Sequence, residues 1–250
     1  MKLEVLRWYR SKSFVVAFII CAMSGIIAPL SAYFADEILK QFGGDSAKII
    51  MSAPTWPVVL LAYFKNVEQL VLFILVFLVA SKCYLGKNKA LALFYTTRAQ
   101  LAGQIFMPRV MMGVAVTAVS MAIGGACAFY MTYVLFDGKL DVWNALALLA
   151  LNMVVIVALV IVGAVIGIWW SSPFLSAITI EVLVLVAGIL NGTTGFKSWS
   201  PTLLLIPRNL VNHAIDIYFV VRMGIVLIVI MLLAVASIKF KPLRQKLTKV

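Results

Sequence analysis

Acidic charge is scarce in this chain: nine Asp and Glu stand against 21 Lys and Arg, and charged residues of both signs make up only 12% of its 250 positions. A soluble domain is about a quarter charged and about half apolar, whereas here 64% of residues are apolar. That balance excludes a water-soluble globule and makes the bilayer the solvent. Histidine occurs once, at His213, and cysteine three times, at Cys21, Cys83 and Cys127. A single histidine supplies no metal site, and His213 beside Asp216 reads as a surface or interface residue. Two cysteines within apolar runs and one at a border imply packing, not a disulfide framework. A phosphate-binding G-x-x-x-x-G-K-[ST] loop is also missing, because Gly86-Lys87 has Ser81 where the first glycine belongs and Asn88 where Ser or Thr belongs. No Gly-x-Ser-x-Gly-like turn accompanies His213 and no paired membrane aspartates occur, so intramembrane proteolysis lacks support. No connection is long enough for a soluble domain, and any energy source lies on another chain or in an ion gradient.

Long apolar stretches dominate what remains. A hydrocarbon core of about 30 Å requires about 20 apolar residues per helix. Spans are predicted at 14–34, 60–81, 108–135, 143–170, 174–190 and 217–238. The first is read as an uncleaved span, since its apolar run is about twice the usual length of a signal peptide's apolar core. The fold class is therefore all-α: a single polytopic membrane domain over residues 1–250 with six transmembrane helices.

The basic residues fall on alternate connections. Lys2, Arg7, Arg10 and Lys12 precede the first span; Lys82, Lys87, Lys89, Arg98 and Arg109 lie between the second and third; Lys239, Lys241, Arg244, Lys246 and Lys249 follow the sixth. These segments hold fourteen of the 21 cations, with Glu4 as their only acid. The positive-inside rule then puts both termini in the cytoplasm. The net charge of +12 is explained by a basic cytoplasmic rim that attracts anionic lipid, with no nucleic-acid partner.

Local patterns refine this outline. Residues 1–13 read as a basic amphipathic helix lying in the membrane surface, with Leu3, Leu6 and Tyr9 on one face. Pro29 is expected to bend or end the first span. Pro54-Thr55-Trp56-Pro57 reads as a breaker, and Lys65, Asn66 and Glu68 are expected in the outer turns of the second span, Lys65 and Glu68 forming an (i, i+3) pair. Gly163-x-x-x-Gly167 and Gly188-x-x-x-Gly192 are candidate sites of close helix approach. Trp169 and Trp170 fit an interfacial belt. The tight Ser171-Ser172-Pro173 connection makes the fourth and fifth spans antiparallel neighbours. Residues 191–216 combine a flexible start with an apolar run too short to cross, and are expected to form a re-entrant outer segment before the last helix. Glu181 lies about 10 Å into the fifth span at 1.5 Å per residue and is expected to face the bundle interior or a partner, or to be protonated. Arg222 is its nearest candidate partner by depth. A structural polar contact, a place along a transport path and proton coupling are all open to Glu181.

Residues 82–109 carry a basic turn at Gly86, Lys87 and Lys89, an apolar run that includes Leu91 and Phe94, and Thr96-Thr97-Arg98 opening a second amphipathic turn. Thr96 or Thr97 is a plausible N-cap for a short helix across the cytoplasmic mouth. At this point the whole chain resembles the permease subunits of type-2 ATP-binding-cassette (ABC) exporters. The resemblance rests on Arg10-Ser-Lys-Ser-Phe14 before the first span, Pro29 and Tyr33 to Leu39 at its outer end, and Tyr63-Phe-Lys-Asn-Val-Glu-Gln69 before the second. It continues through Gly86 and Leu91 to Arg98, six spans and an outer hairpin before the last. The resemblance implies a coupling helix within 82–109 that docks on a separate ABC ATPase, with Gly86, Lys87, Lys89, Leu91, Phe94, Thr97 and Arg98 as coupling residues. It also implies ATP and magnesium on that partner and no cofactor here, a second permease subunit as homo- or heterodimer, and a bacterial plasma membrane location. Family members often place a glutamate before the loop glycine and a proline near Arg98; here Lys82 to Leu85 has no acid and Ala99 follows the arginine. The expected activity is export of an amphipathic peptide, lipid or drug, with no catalysis on this chain. The alternatives are a gradient-driven secondary transporter using Glu181, or a non-catalytic membrane scaffold. The basic tail at 239–250 completes the cytoplasmic face.

Overall fold

The computed structural model describes residues 2–35, 55–85, 102–136, 140–197, 199–208 and 217–241. Among these every regular element is a helix. The elements are α1 (Lys2–Arg10), α2 (Ser13–Tyr33), α3 (Trp56–Cys83, with a π-helical turn at Val67–Val71), α4 (Ala102–Leu135), α5 (Val142–Trp170), α6 (Pro173–Leu190), the single turn α7 (Thr194–Lys197), a 3-10 turn (Pro201–Leu204) and α8 (Ile217–Lys239). Six of them, α2 to α6 and α8, are long and apolar enough to cross a membrane.

Helix boundaries follow local chemistry. Asp141 caps α5 by accepting a hydrogen bond from the Asn144 N–H (3.3 Å), and Ser172 caps α6 from the Leu175 N–H (3.4 Å) with Pro173 in the first turn. Ser171 between them takes φ 54°, and this left-handed residue reverses the chain so that α5 and α6 pack antiparallel, as the short connection predicted. Two boundary expectations need correction and a third is narrowed. Pro57 starts α3 instead of breaking the chain, because proline is tolerated in a first turn. Helix α2 runs through Pro29 to Tyr33, so the proline does not end it. Helix α4 begins at Ala102, not 108, and carries Pro108 and Arg109 inside it; likewise Lys82 and Cys83 belong to α3.

α3 forms the centre of the bundle, burying Leu60, Tyr63, Phe64, Leu72, Leu75 and Val76 against α2, α4, α5 and α6. Between helices in lipid the association comes from close packing and not from apolar burial, and glycines set it. A methyl at Gly25 of α2 would strike the Gly124 carbonyl of α4, and one at Gly124 would sit 2.7 Å from the Cys21 carbonyl. Gly163 is filled by Val76 and Gly167 by Ala80, 2.9 Å from where a methyl would lie. The first expected glycine pair thus marks a close contact of α5 with α3. The second does not: nothing approaches Gly188 within 4 Å, and Gly192 meets only its own chain at Ile189. The reason is position, since α6 turns Leu185, Val186 and Ile189 outward. α8 is the most peripheral helix, with only 11% of its apolar window buried.

The connections alternate between two ends. At the α1 end, Lys82 donates to Ser11 (2.5 Å), and Lys241, just past α8, donates to the Ile168 carbonyl and stands 5.6 Å over the Phe106 ring. At the opposite end Tyr33 meets Phe136 edge-on at 5.7 Å. Helices α5 and α6 differ in length. At 1.5 Å per residue the 29 residues of α5 reach about 43 Å and the 18 of α6 about 27 Å. The segment 199–208 fills the resulting step: Leu204 and Leu205 are buried there, and the Asn152 side chain of α5 donates to the Leu205 carbonyl (2.9 Å).

Candidate functional site: carboxylates within the bundle

Glu181 is the ninth of the 18 residues of α6, so it lies about 12 Å from either end at 1.5 Å per residue. It is half-buried, and its Oε1 is buried without a hydrogen-bond partner among the described residues. Arg222 does not answer it. That guanidinium is exposed and stands 5.3 Å over the Trp199 ring at the opposite end. Depth along two helices does not make a contact when the side chains leave on different faces.

The charged neighbour of Glu181 is Glu68 of α3, close enough for the two carboxylates to interact electrostatically. Arg208, at the end of the packed segment, lies within electrostatic reach of Glu68 in turn. Glu68 is the thirteenth residue of the 28 in α3 and not part of an outer turn, because the helix starts earlier than its apolar core. Lys65 and Glu68, both described, form no ion pair; Lys65 is exposed while Glu68 is half-buried. Glu68 sits in the π-helical turn Val67–Val71. Such a turn inserts one residue into the helix and changes the direction of every side chain after it, and it recurs at functional sites. Here Val67 and Val71 remain in the core on either side.

The expected coupling residues Gly86, Lys87, Lys89, Leu91, Phe94, Thr97 and Arg98 lie outside the described residues, as do His213 and Asp216. Their flanks are described. Cys83 ends α3 and Ala102 starts α4, and both are buried at the α1 end. Beside them is a cluster that spacing did not indicate. Arg109 is 1% exposed and forms an ion pair with Glu4 of α1 (3.4 Å), which also faces Arg7 (3.7 Å). The one available signal was Glu4 itself, a lone acid in a cationic stretch. Burial pushes the Lys241 amine below the usual lysine range, while its bond to Ile168 caps the C-terminal carbonyls of α5.

No family model, curated protein or solved structure matches the chain.

Proposed function

We propose that the chain is the membrane-spanning permease subunit of an ATP-driven exporter of the type-2 ABC class. In this reading two permease subunits pair above two ATPase chains in the bacterial plasma membrane, with both termini cytoplasmic and an amphipathic peptide, lipid or drug as cargo. The observation that carries it is the α1 end. A basic amphipathic helix, the two helix ends flanking residues 84–101 and the start of the basic tail meet there, which is the arrangement an ATPase pushing on that segment needs. The segment 199–208, packed beside α5, corresponds to the outer re-entrant hairpin of such permeases, and α1 to their interfacial helix.

A second reading, a gradient-driven transporter, is favoured by one observation: Glu68 and Glu181, each near the middle of its helix, lie within electrostatic reach of one another. Two like charges in a low-dielectric site repel, and such a pair suits a shared proton or a bound cation.

One purification separates the two. Isolated from native membranes in mild detergent, the chain is expected to bring down an ATPase with Walker motifs, to stimulate its hydrolysis, and to retain ATP-driven transport as Glu181→Gln. Loss of transport in Glu181→Gln with ATPase stimulation intact selects the second reading. Transport by the chain alone in liposomes under an ion gradient overturns the first.

A further inference from the structure

The first helix is attached to the bundle by one backbone hinge and one cluster of side chains. α1 ends at Arg10, and Lys12 then takes φ 54° before α2 begins at Ser13. A left-handed lysine is strained and persists only where surrounding contacts hold it. Those contacts are on one face of α1. Glu4 and Trp8, one turn apart, face inward, and Trp8 is 1% exposed with the Lys82 amine 5.6 Å over its ring. Glu4 reaches Arg109 of α4 at 3.4 Å, and Lys82 of α3 reaches Ser11. The Cys83 thiol, fully buried, lies within electrostatic reach of Arg109, Glu4 and Arg7. Val5, Leu6 and Tyr9 on the other face are exposed, Tyr9 at 78%.

We propose that α1 is a hinged latch, turning about Lys12 and held closed over the feet of α3 and α4 by the Glu4–Arg109 ion pair, with Cys83 sealed beneath it. The latch clasps Lys82 and Arg109, on the two helix ends between which residues 84–101 run. While closed it fixes the spacing of those ends; opening lets them separate. The Glu4 carboxylate compensates part of the charge of a fully buried guanidinium, so removing it costs the closed state that contribution. Nothing in this inference requires the transport reading, and it stands or falls separately.

The three native cysteines report on it. The full chain in native membranes is treated with a membrane-permeant maleimide, and labelling of Cys21, Cys83 and Cys127 is followed by peptide mass spectrometry. In the unmodified chain Cys83 is expected to react slowly. Glu4→Arg is expected to raise the Cys83 rate about tenfold, the mark of a local opening, while buried Cys21 of α2 stays protected. The exchanged pair, Glu4→Arg with Arg109→Glu, is expected to bring Cys83 back to within a few-fold of the starting rate. The proposal is overturned if Glu4→Arg leaves Cys83 unchanged, or if the exchanged pair labels as fast as the single variant. It is equally overturned if Cys21 becomes reactive together with Cys83, since α1 is then not a unit that opens apart from the bundle.

Discussion

Gly25 and Gly188 both stand in apolar helices, and their surroundings differ. A methyl at Gly25 meets the backbone of Gly124, which no rotamer change can move, whereas one at Gly188 enters open space. Gly25→Ala is expected to destabilise the chain by about 1–3 kcal/mol, the usual range for overpacking. Gly188→Ala is expected to be neutral or to stabilise by up to about 1 kcal/mol through helix propensity. Thermal unfolding in detergent measures both, and equal midpoints would show that the α2–α4 crossing is looser than its backbone contact implies. The sequence could not rank these glycines. Spacing along one helix nominated Gly163-x-x-x-Gly167 and Gly188-x-x-x-Gly192 alike, while Gly25 and Gly124 lie on separate helices and share no motif. The same limit hid Glu4 from Arg109 and Glu68 from Glu181. Each is visible in sequence as a charge in an unusual place, but the partner is supplied by tertiary packing.

Among the elements, all six long helices were legible because an apolar run of bilayer length has few alternatives. Their ends were less so. Hydropathy marks where side chains become apolar, but backbone hydrogen bonding continues beyond that point, as in α4 from Ala102 to Pro108 and α3 from Trp56. The π turn at Val67–Val71 has no sequence signature at all, so Glu68 was assigned to the wrong part of its helix. The packed segment before α8 was anticipated from its composition, though not its attachment. Asn152 holds it through one buried hydrogen bond to Leu205. Asn152→Leu leaves that carbonyl without its donor, a loss of about 1–3 kcal/mol that falls on the segment and not on the bundle. Trypsin should therefore cut faster after exposed Arg208 while the melting midpoint of the helices changes little. Unchanged cleavage would mean that Leu204 and Leu205 alone hold the segment.

For the whole molecule, the alternation of basic connections predicted that the cations would collect at one end, and Arg7, Arg10, Lys12, Lys82, Lys239 and Lys241 do so. In the proposed orientation, which follows the positive-inside rule, that end is the cytoplasmic one. In intact cells, a cysteine introduced at Arg10 or Lys239 is expected to resist a membrane-impermeant reagent, and one at Asn191, at the opposite end, to react. The reverse pattern would invert the proposed orientation and overturn docking of an ATPase at the α1 end. The unequal lengths of α5 and α6 carry a consequence for the lipid itself. Acyl chains resting against α6 meet about 27 Å of helix, some 3 Å short of an average hydrocarbon layer, and mismatch of that size is relieved by local thinning at a fraction of a kcal/mol per Å. Where segment 199–208 does not cover the step above α6, the adjoining annulus of lipid is expected to thin, with headgroups riding lower there than around the rest of the perimeter.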